Sequence, residues 1–156
     1  MRLFVAVDLE DQVRDEVGRL VRRIRSGMRD DPSLKISWVA PDRLHLTLHF
    51  VGEVEEPTAA RLVEGIAAPI DLTAFDLTFG AVGTFSSRGR PNVIWLGVAD
   101  GRLPLSELQR SVGQRLMSAG CELEERPFSP HLTLARLRQV RGTVPRTGTR
   151  TFANPG

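Results

Sequence analysis

The tetrapeptide His-Leu-Thr-Leu occurs twice, at 45–48 and at 131–134, and takes two of the three histidines in the chain. In both settings it reads as a β-strand. Side chains alternate across a strand, so His and Thr share one face and the two leucines share the other. A fold holding both copies must therefore provide two strands, each apolar on one side and chemically active on the other. Side by side, they would make a cleft where two imidazoles and two hydroxyls face each other.

The surrounding pattern predicts where these strands sit. Leu3–Val7 is a short apolar run, read as a buried strand. From Gln12 the residues Val13, Val17, Leu20, Val21, Ile24 and Met28 recur at helical spacing and predict an amphipathic helix. Ile36–Val39 and Leu44–Val51 read as strands, the second carrying the first motif. A helix is expected from about Pro57 with Leu62, Val63 and Ile66 inward, since proline suits a first helical turn. Phe75–Phe79 reads as a strand, 80–90 as a Gly- and Ser-containing loop, and Asn92–Val98 as a strongly apolar strand. Pro104 opens a third helix with Leu105, Leu108, Val112 and Leu116 on one face. A weak polar strand at Glu122–Glu125 then precedes the second motif strand, His131–Leu137.

Strand, helix, strand, motif strand thus occurs twice at similar offsets, an internal repeat with consequences for the fold. The expected class is α+β: two pseudo-symmetric β-α-β-β lobes, antiparallel strands lining a central cleft, helices outside. The domain is expected over 1–139, with lobes of about 1–70 and 71–139. Residues 140–156, rich in Gly, Thr, Arg and Pro, are expected to form an irregular C-terminal tail.

Charge and composition narrow the setting. Twenty-one basic residues stand against 19 acidic ones, and Lys35 is the single lysine. Arginine suits bidentate phosphate recognition, although a composition bias explains its excess equally well. No apolar run approaches the ~20 residues of a membrane span. The apolar start at Leu3–Val7 is too short for a signal-peptide core. A cytoplasmic protein without membrane association, acting as a monomer, is the expectation. The lone Cys121 cannot build a disulfide framework, and reads as a small half-buried residue rather than a nucleophile.

Imidazole ordinarily titrates near ~6.5, so it serves as base or acid at neutral pH. Two facing histidines, one neutral and one protonated, can deprotonate an attacking water and protonate a departing sugar oxygen. The Thr47 and Thr133 hydroxyls would donate to non-bridging phosphate oxygens. Such chemistry on a strained cyclic phosphodiester requires no metal or other cofactor. His-x-Thr also lacks the clustered ligands typical of a zinc site.

At these residues the chain resembles the two-histidine (2H) phosphoesterases, and among them the RNA 2′,3′-cyclic phosphodiesterases formerly named 2′-5′ RNA ligases. The resemblance is carried by Arg2–Leu9, Trp38-Val39 before Leu44–Gly52, Arg90–Gly97 and Phe128–Arg136, and spans roughly residues 2–138. It implies metal-independent hydrolysis of RNA 2′,3′-cyclic phosphate ends to 2′-phosphomonoesters. His45 and His131 would be the catalytic pair, with Thr47 and Thr133 binding phosphate. The residues alone do not say which histidine is the acid. The analogy makes His45 the general acid and His131 the general base. Arg136, five residues past His131, matches a position the family uses near the phosphate. Alternation nominally turns it to the other face, which a bend at the strand end would correct. The tail departs from the family, whose members continue with a helix and a final strand.

Around this centre, His49 is expected at the cleft rim as a solvated or substrate-steering side chain. Phe4 and Phe128 are candidates for stacking on a base. Phe50 shares the leucine face and is expected in the core, while Trp38 and Trp95 are expected as core or rim packing. Other readings stay open: 2′-5′ RNA ligase activity, another cyclic phosphodiester as substrate, or a catalytically silent RNA- or nucleotide-binding module.

Overall fold

The computed structural model describes residues 1–140; the expected irregular tail lies, from residue 141, outside the described residues. The architecture is mixed α+β. In chain order come β1 (Arg2–Asp8), α1 (Asp11–Ser26), β2 (Leu34–Trp38), a single 3-10 turn (Pro41–Arg43), β3 (His45–Glu53) and α2 (Glu56–Ile66). They are followed by β4 (Thr78–Ser87), β5 (Arg90–Asp100), α3 (Arg102–Ser118) and β6 (His131–Gln139). The strands hydrogen-bond in the order β1-β3-β6-β5-β4, with β2 paired to β6.

The chain makes two compact units, each drawn from three stretches. The first comprises Met1–Val7, Leu46–Phe79 and Val98–His131; the second comprises Asp8–His45, Gly80–Gly97 and the described residues from Leu132 onward. In the first unit Leu46, Leu48, Leu62, Leu105, Val112 and Leu116 are buried. Each such side chain contributes roughly 1.5–3 kcal/mol over its exposed state. Arg115 of α3 donates to the carbonyls of Ala68 and, at 2.8 Å, Pro69, fastening the chain after α2. Gly101 precedes α3 with φ of 90°, and a Cβ there would stand 2.4 Å from the Asp76 carbonyl oxygen. Only glycine suits both demands.

In the second unit α1 buries Val17 and Ile24, seven residues apart on its apolar stripe. The Arg25 guanidinium lies 5.4 Å from the centroid of the Trp38 ring, a cation–π contact joining α1 to β2. β2 and β6 are antiparallel, with Ile36 opposite Leu137 and Trp38 opposite Ala135. Leu132, Leu134, Ala135, Ile94 and Leu96 complete this core.

Several local expectations fail for physical reasons. Residues 122–125 form no strand, since alternation among exposed charges supplies no apolar face to bury. The expected loop at 80–90 is largely strand, because β4 runs to Ser87 and turns at Arg88-Gly89 into β5. Val63, expected inward on α2, is 56% exposed.

Candidate active site

Each motif histidine is the first residue of its strand, and the segment before it sets its ring. In the first copy a 3-10 turn ends at Arg43, and His45 Nδ1 lies 2.7 Å from the Arg43 carbonyl oxygen. In the second, the Pro127–Pro130 segment leads into β6, and His131 Nδ1 lies 2.7 Å from the Ser129 carbonyl oxygen. The partner is the carbonyl two residues upstream in both cases. A carbonyl only accepts, so Nδ1 carries the proton and donates. That fixes the tautomer and orients Nε2 as the ring nitrogen for proton transfer.

The neighbouring leucines lock the strands. Leu46 and Leu48 are buried, as are Leu132 and Leu134, while His45, Thr47, His131 and Thr133 are all half-buried. Both copies thus show the same exposure sequence, with the His/Thr side accessible and the leucine side packed. Neither threonine hydroxyl bonds to another described residue, so each can donate to an incoming oxygen.

Arg14 is a contributor that sequence reasoning missed. Its guanidinium reaches the Pro41 carbonyl at 2.5 Å, the Leu9 carbonyl at 3.2 Å and the Asp8 carboxylate at 2.8 Å. It therefore holds the turn whose last carbonyl orients His45. No local pattern marks it among 20 arginines, because its partner at Pro41 is 27 residues away.

The surrounding candidates divide. His49 does not line an open rim: its Nε2 lies 2.6 Å from the Gln109 carbonyl oxygen of α3, and its ring packs on Gly113. Donation to that carbonyl occupies the nitrogen a steering role would use. Phe50 is not in the core but 70% exposed, although it follows the buried Leu46 and Leu48 at strand spacing. It pairs with Phe4, itself 44% exposed, with ring centroids 6.4 Å apart. Phe4 is thus exposed enough to stack, whereas Phe128 is half-buried. Trp38 and Trp95 serve packing, Trp95 lying 5.4 Å from Phe85 between ring centroids.

Arg136 is exposed and stands opposite Ser37 on β2. The β2–β6 ladder is regular from Ala135 to Gln139, and the Val39 N–H donates to the Leu134 carbonyl at 2.9 Å. Burial changes phase inside β6, where Leu134 and Ala135 are both buried and Leu137 is buried again while Arg136 and Arg138 are exposed, so simple alternation from His131 does not run through to Arg136. Burial, and then the charge of Glu122, push the Cys121 thiol up from its ordinary range, which disfavours the nucleophilic thiolate. Among the described residues, no group of three or more His, Cys, Asp or Glu stands together as metal ligands. No described helix is long and apolar enough to cross a membrane.

Comparison with known proteins agrees with this layout. A model of the LigT-like phosphoesterases matches residues 7–95 and again 96–150, one motif in each. The chain is 35% identical over 139 residues to an RNA 2′,3′-cyclic phosphodiesterase of Archaeoglobus fulgidus, covering 89% of this chain and 74% of that protein. To the RNA 2′,3′-cyclic phosphodiesterase of Aeropyrum pernix it is 36% identical over 128 residues, covering 80% and 69%. The crystal structure of Escherichia coli LigT complexed with 3′-AMP matches with a TM-score of 0.71 at 30% identity, covering 99% of this chain and 79% of that one.

Proposed function

Because this chain belongs to the LigT-like phosphoesterase family, we propose that it hydrolyses RNA 2′,3′-cyclic phosphate ends to 2′-phosphomonoesters with His45 and His131 as its acid–base pair. The observation that carries the reading is the duplicated Nδ1-to-carbonyl bond at 2.7 Å. Two imidazoles held in the same tautomer by the same local device are equipped for the same kind of work, proton transfer at Nε2. His131 takes a proton from water as the water oxygen attacks phosphorus. The bond from phosphorus to the 3′-oxygen breaks, and His45 protonates that oxygen. The 2′-ester remains, and the protons exchanged with solvent restore both rings. Thr47 and Thr133 donate to the non-bridging oxygens, where charge grows as the fifth oxygen enters.

The reaction needs no metal, because the leaving oxygen is protonated and the ring strain of the cyclic ester assists cleavage. Action as a monomer in the cytoplasm on RNA ends completes the proposal. The names of the relatives support the substrate, and the 3′-AMP complex of the Escherichia coli relative supports a nucleotide-sized ligand.

The test is turnover of an RNA ending in a 2′,3′-cyclic phosphate, with chromatographic separation of 2′- from 3′-phosphate. The expected product is the 2′-phosphate, formed equally well in EDTA. His45→Ala and His131→Ala each lower turnover by roughly 10²–10⁴-fold, the range for a general acid or base, with the melting curve retained. Full activity in either variant sinks the pairing, and a 3′-phosphate product sinks the assigned direction of cleavage. A nicked RNA in the same assay reads out ligation.

A further inference from the structure

His49 follows Thr47 by two residues on β3, so His45, Thr47 and His49 share one side of the strand. On the opposite side Leu46 and Leu48 are buried and hold the strand from behind. On the histidine side the ties lie to either side of Thr47. His45 bonds to the Arg43 carbonyl where the strand begins, and His49 Nε2 lies 2.6 Å from the Gln109 carbonyl oxygen of α3. Thr47 stands midway, and its hydroxyl bonds to no other described residue. Threonine is β-branched and stiff at χ1, so the backbone at residue 47 sets where that hydroxyl points.

Several features converge on the His49 bond, all within the first compact unit. A carbonyl only accepts, so Nε2 carries the proton, the reverse of the tautomer held at His45 and His131. The nitrogen those two keep for proton transfer is here committed to a helix. α3 makes room for the ring at Gly113, where a Cβ would meet His49 Cε1 at 2.9 Å and Nε2 at 3.0 Å. The helix is itself fixed, with Leu105, Val112 and Leu116 buried and Arg115 donating to the Ala68 and Pro69 carbonyls. Past His49 the strand loses support: Phe50 is exposed and Gly52 has a φ of 91°. The second motif is fastened at the same place by other means. Ala135 follows His131 at the spacing of His49 from His45, is fully buried, and stands opposite Trp38 on β2. The residue two past the threonine is thus tied to a neighbouring element in both copies, by a ladder in β6 and by one imidazole in β3.

We propose that His49 is a positioning residue: its bond to α3 holds the β3 backbone so that the Thr47 hydroxyl meets a non-bridging phosphate oxygen. The identity of that phosphate rests on the function proposed above; the anchor rests on the strand and the helix. His49 acts through Thr47 and takes no part in moving protons. Because charge on the oxygen grows toward the transition state, a misplaced hydroxyl shows in kcat more than in KM.

The experiment is a double-variant cycle on hydrolysis of a 2′,3′-cyclic mononucleotide, with calorimetric binding of 3′-AMP alongside. Wild type, His49→Ala, His49→Gln, His49→Asn, Thr47→Ala and His49→Ala/Thr47→Ala are compared at a temperature where circular dichroism shows each folded. His49→Ala lowers kcat by about tenfold, the scale of a misplaced group, and lowers it no further in the Thr47→Ala background. His49→Gln recovers most of the activity, since its Nε2 stands where the imidazole Nε2 stood. His49→Asn, whose amide reaches only as far as Nδ1, does not, and it takes the place of His49→Ala in the cycle should that variant fail to fold. The pH profile of kcat keeps both limbs in His49→Gln, because the proton-transferring pair is untouched. Full activity in folded His49→Ala, multiplied losses in the double variant, or a limb lost in His49→Gln overturns the proposal. Failure of wild type to hydrolyse any cyclic phosphate overturns the proposed function instead, and 3′-AMP then decides this one. Affinity lowered by each single change and not again by the double sustains it; multiplied losses, or no binding by wild type, overturn it.

Discussion

Arg14 bonds to three acceptors from two places in the chain, Asp8-Leu9 and Pro41, and only the last of them bears on the chemistry. Asp8 is 89% exposed, so that ion pair adds little on its own. The Pro41 carbonyl matters more, because it begins the turn ending at Arg43, whose carbonyl accepts from His45. Arg14→Leu is expected to lower kcat by about tenfold through misorientation of His45, with KM nearly unchanged. Stability falls by roughly 1–3 kcal/mol as charge-assisted bonds are removed. A positioning role predicts that Arg14→Leu adds no further decrease in a His45→Ala background; additive decreases in kcat would rule it out. At this scale the motif residues were legible because their chemistry is local. Arg14 and Arg136 were not: the role of one depends on a turn distant in sequence, and the face of the other on the change of burial phase at Leu134-Ala135 inside β6.

The elements show the same division between local and distant causes. α1 and α3 follow from apolar residues at helical spacing and from Pro104 near a helix start, none of which needs a partner to be recognised. β4 was hidden because Gly80, Gly83, Ser86 and Ser87 compose a loop-like string. Gly83 is there for another reason: a Cβ would come within 2.3 Å of the Trp95 ring that lies across it. Gly113 makes the point in a helix. Alanine in a helix interior normally stabilises by roughly 0.5–1 kcal/mol over glycine. Here its Cβ would meet His49 Cε1 at 2.9 Å, and the ring is held by the bond to Gln109 one turn earlier. Gly113→Ala is therefore expected to destabilise by about 1–3 kcal/mol as overpacking forces the ring off its bond. In a His49→Ala background the same change becomes neutral or stabilising. Urea unfolding of the four proteins reads the cycle, and Gly113→Ala having the same sign in both backgrounds would remove His49 as the point where β3 meets α3.

At the scale of the whole chain, the repeat is sequential while the packing is not. Residues 1–70 and 71–140 carry one motif each, yet both compact units combine stretches from the two halves. In one, β2 finds its ladder on β6, and the Val140 N–H donates to Ser33 at 2.9 Å. In the other, His49 on β3 bonds to α3, and Arg115 of α3 bonds to the chain after α2. A chain cut at residue 70 separates every one of these partners. The first fragment keeps α1 and β2 without the strand that pairs with β2, and His49 without its partner on α3. The second keeps β6 without β2. Neither retains enough apolar burial to offset the ordering cost of its backbone, roughly 1–2 kcal/mol per residue. Fragments 1–70 and 71–140 are therefore each expected to show no cooperative thermal transition by circular dichroism. An equimolar mixture regains a single transition, since all the pairings are then available again. Cooperative melting by either half alone would show that its local packing suffices, and that the long-range pairings between β2 and β6 and between β3 and α3 are not what hold the fold.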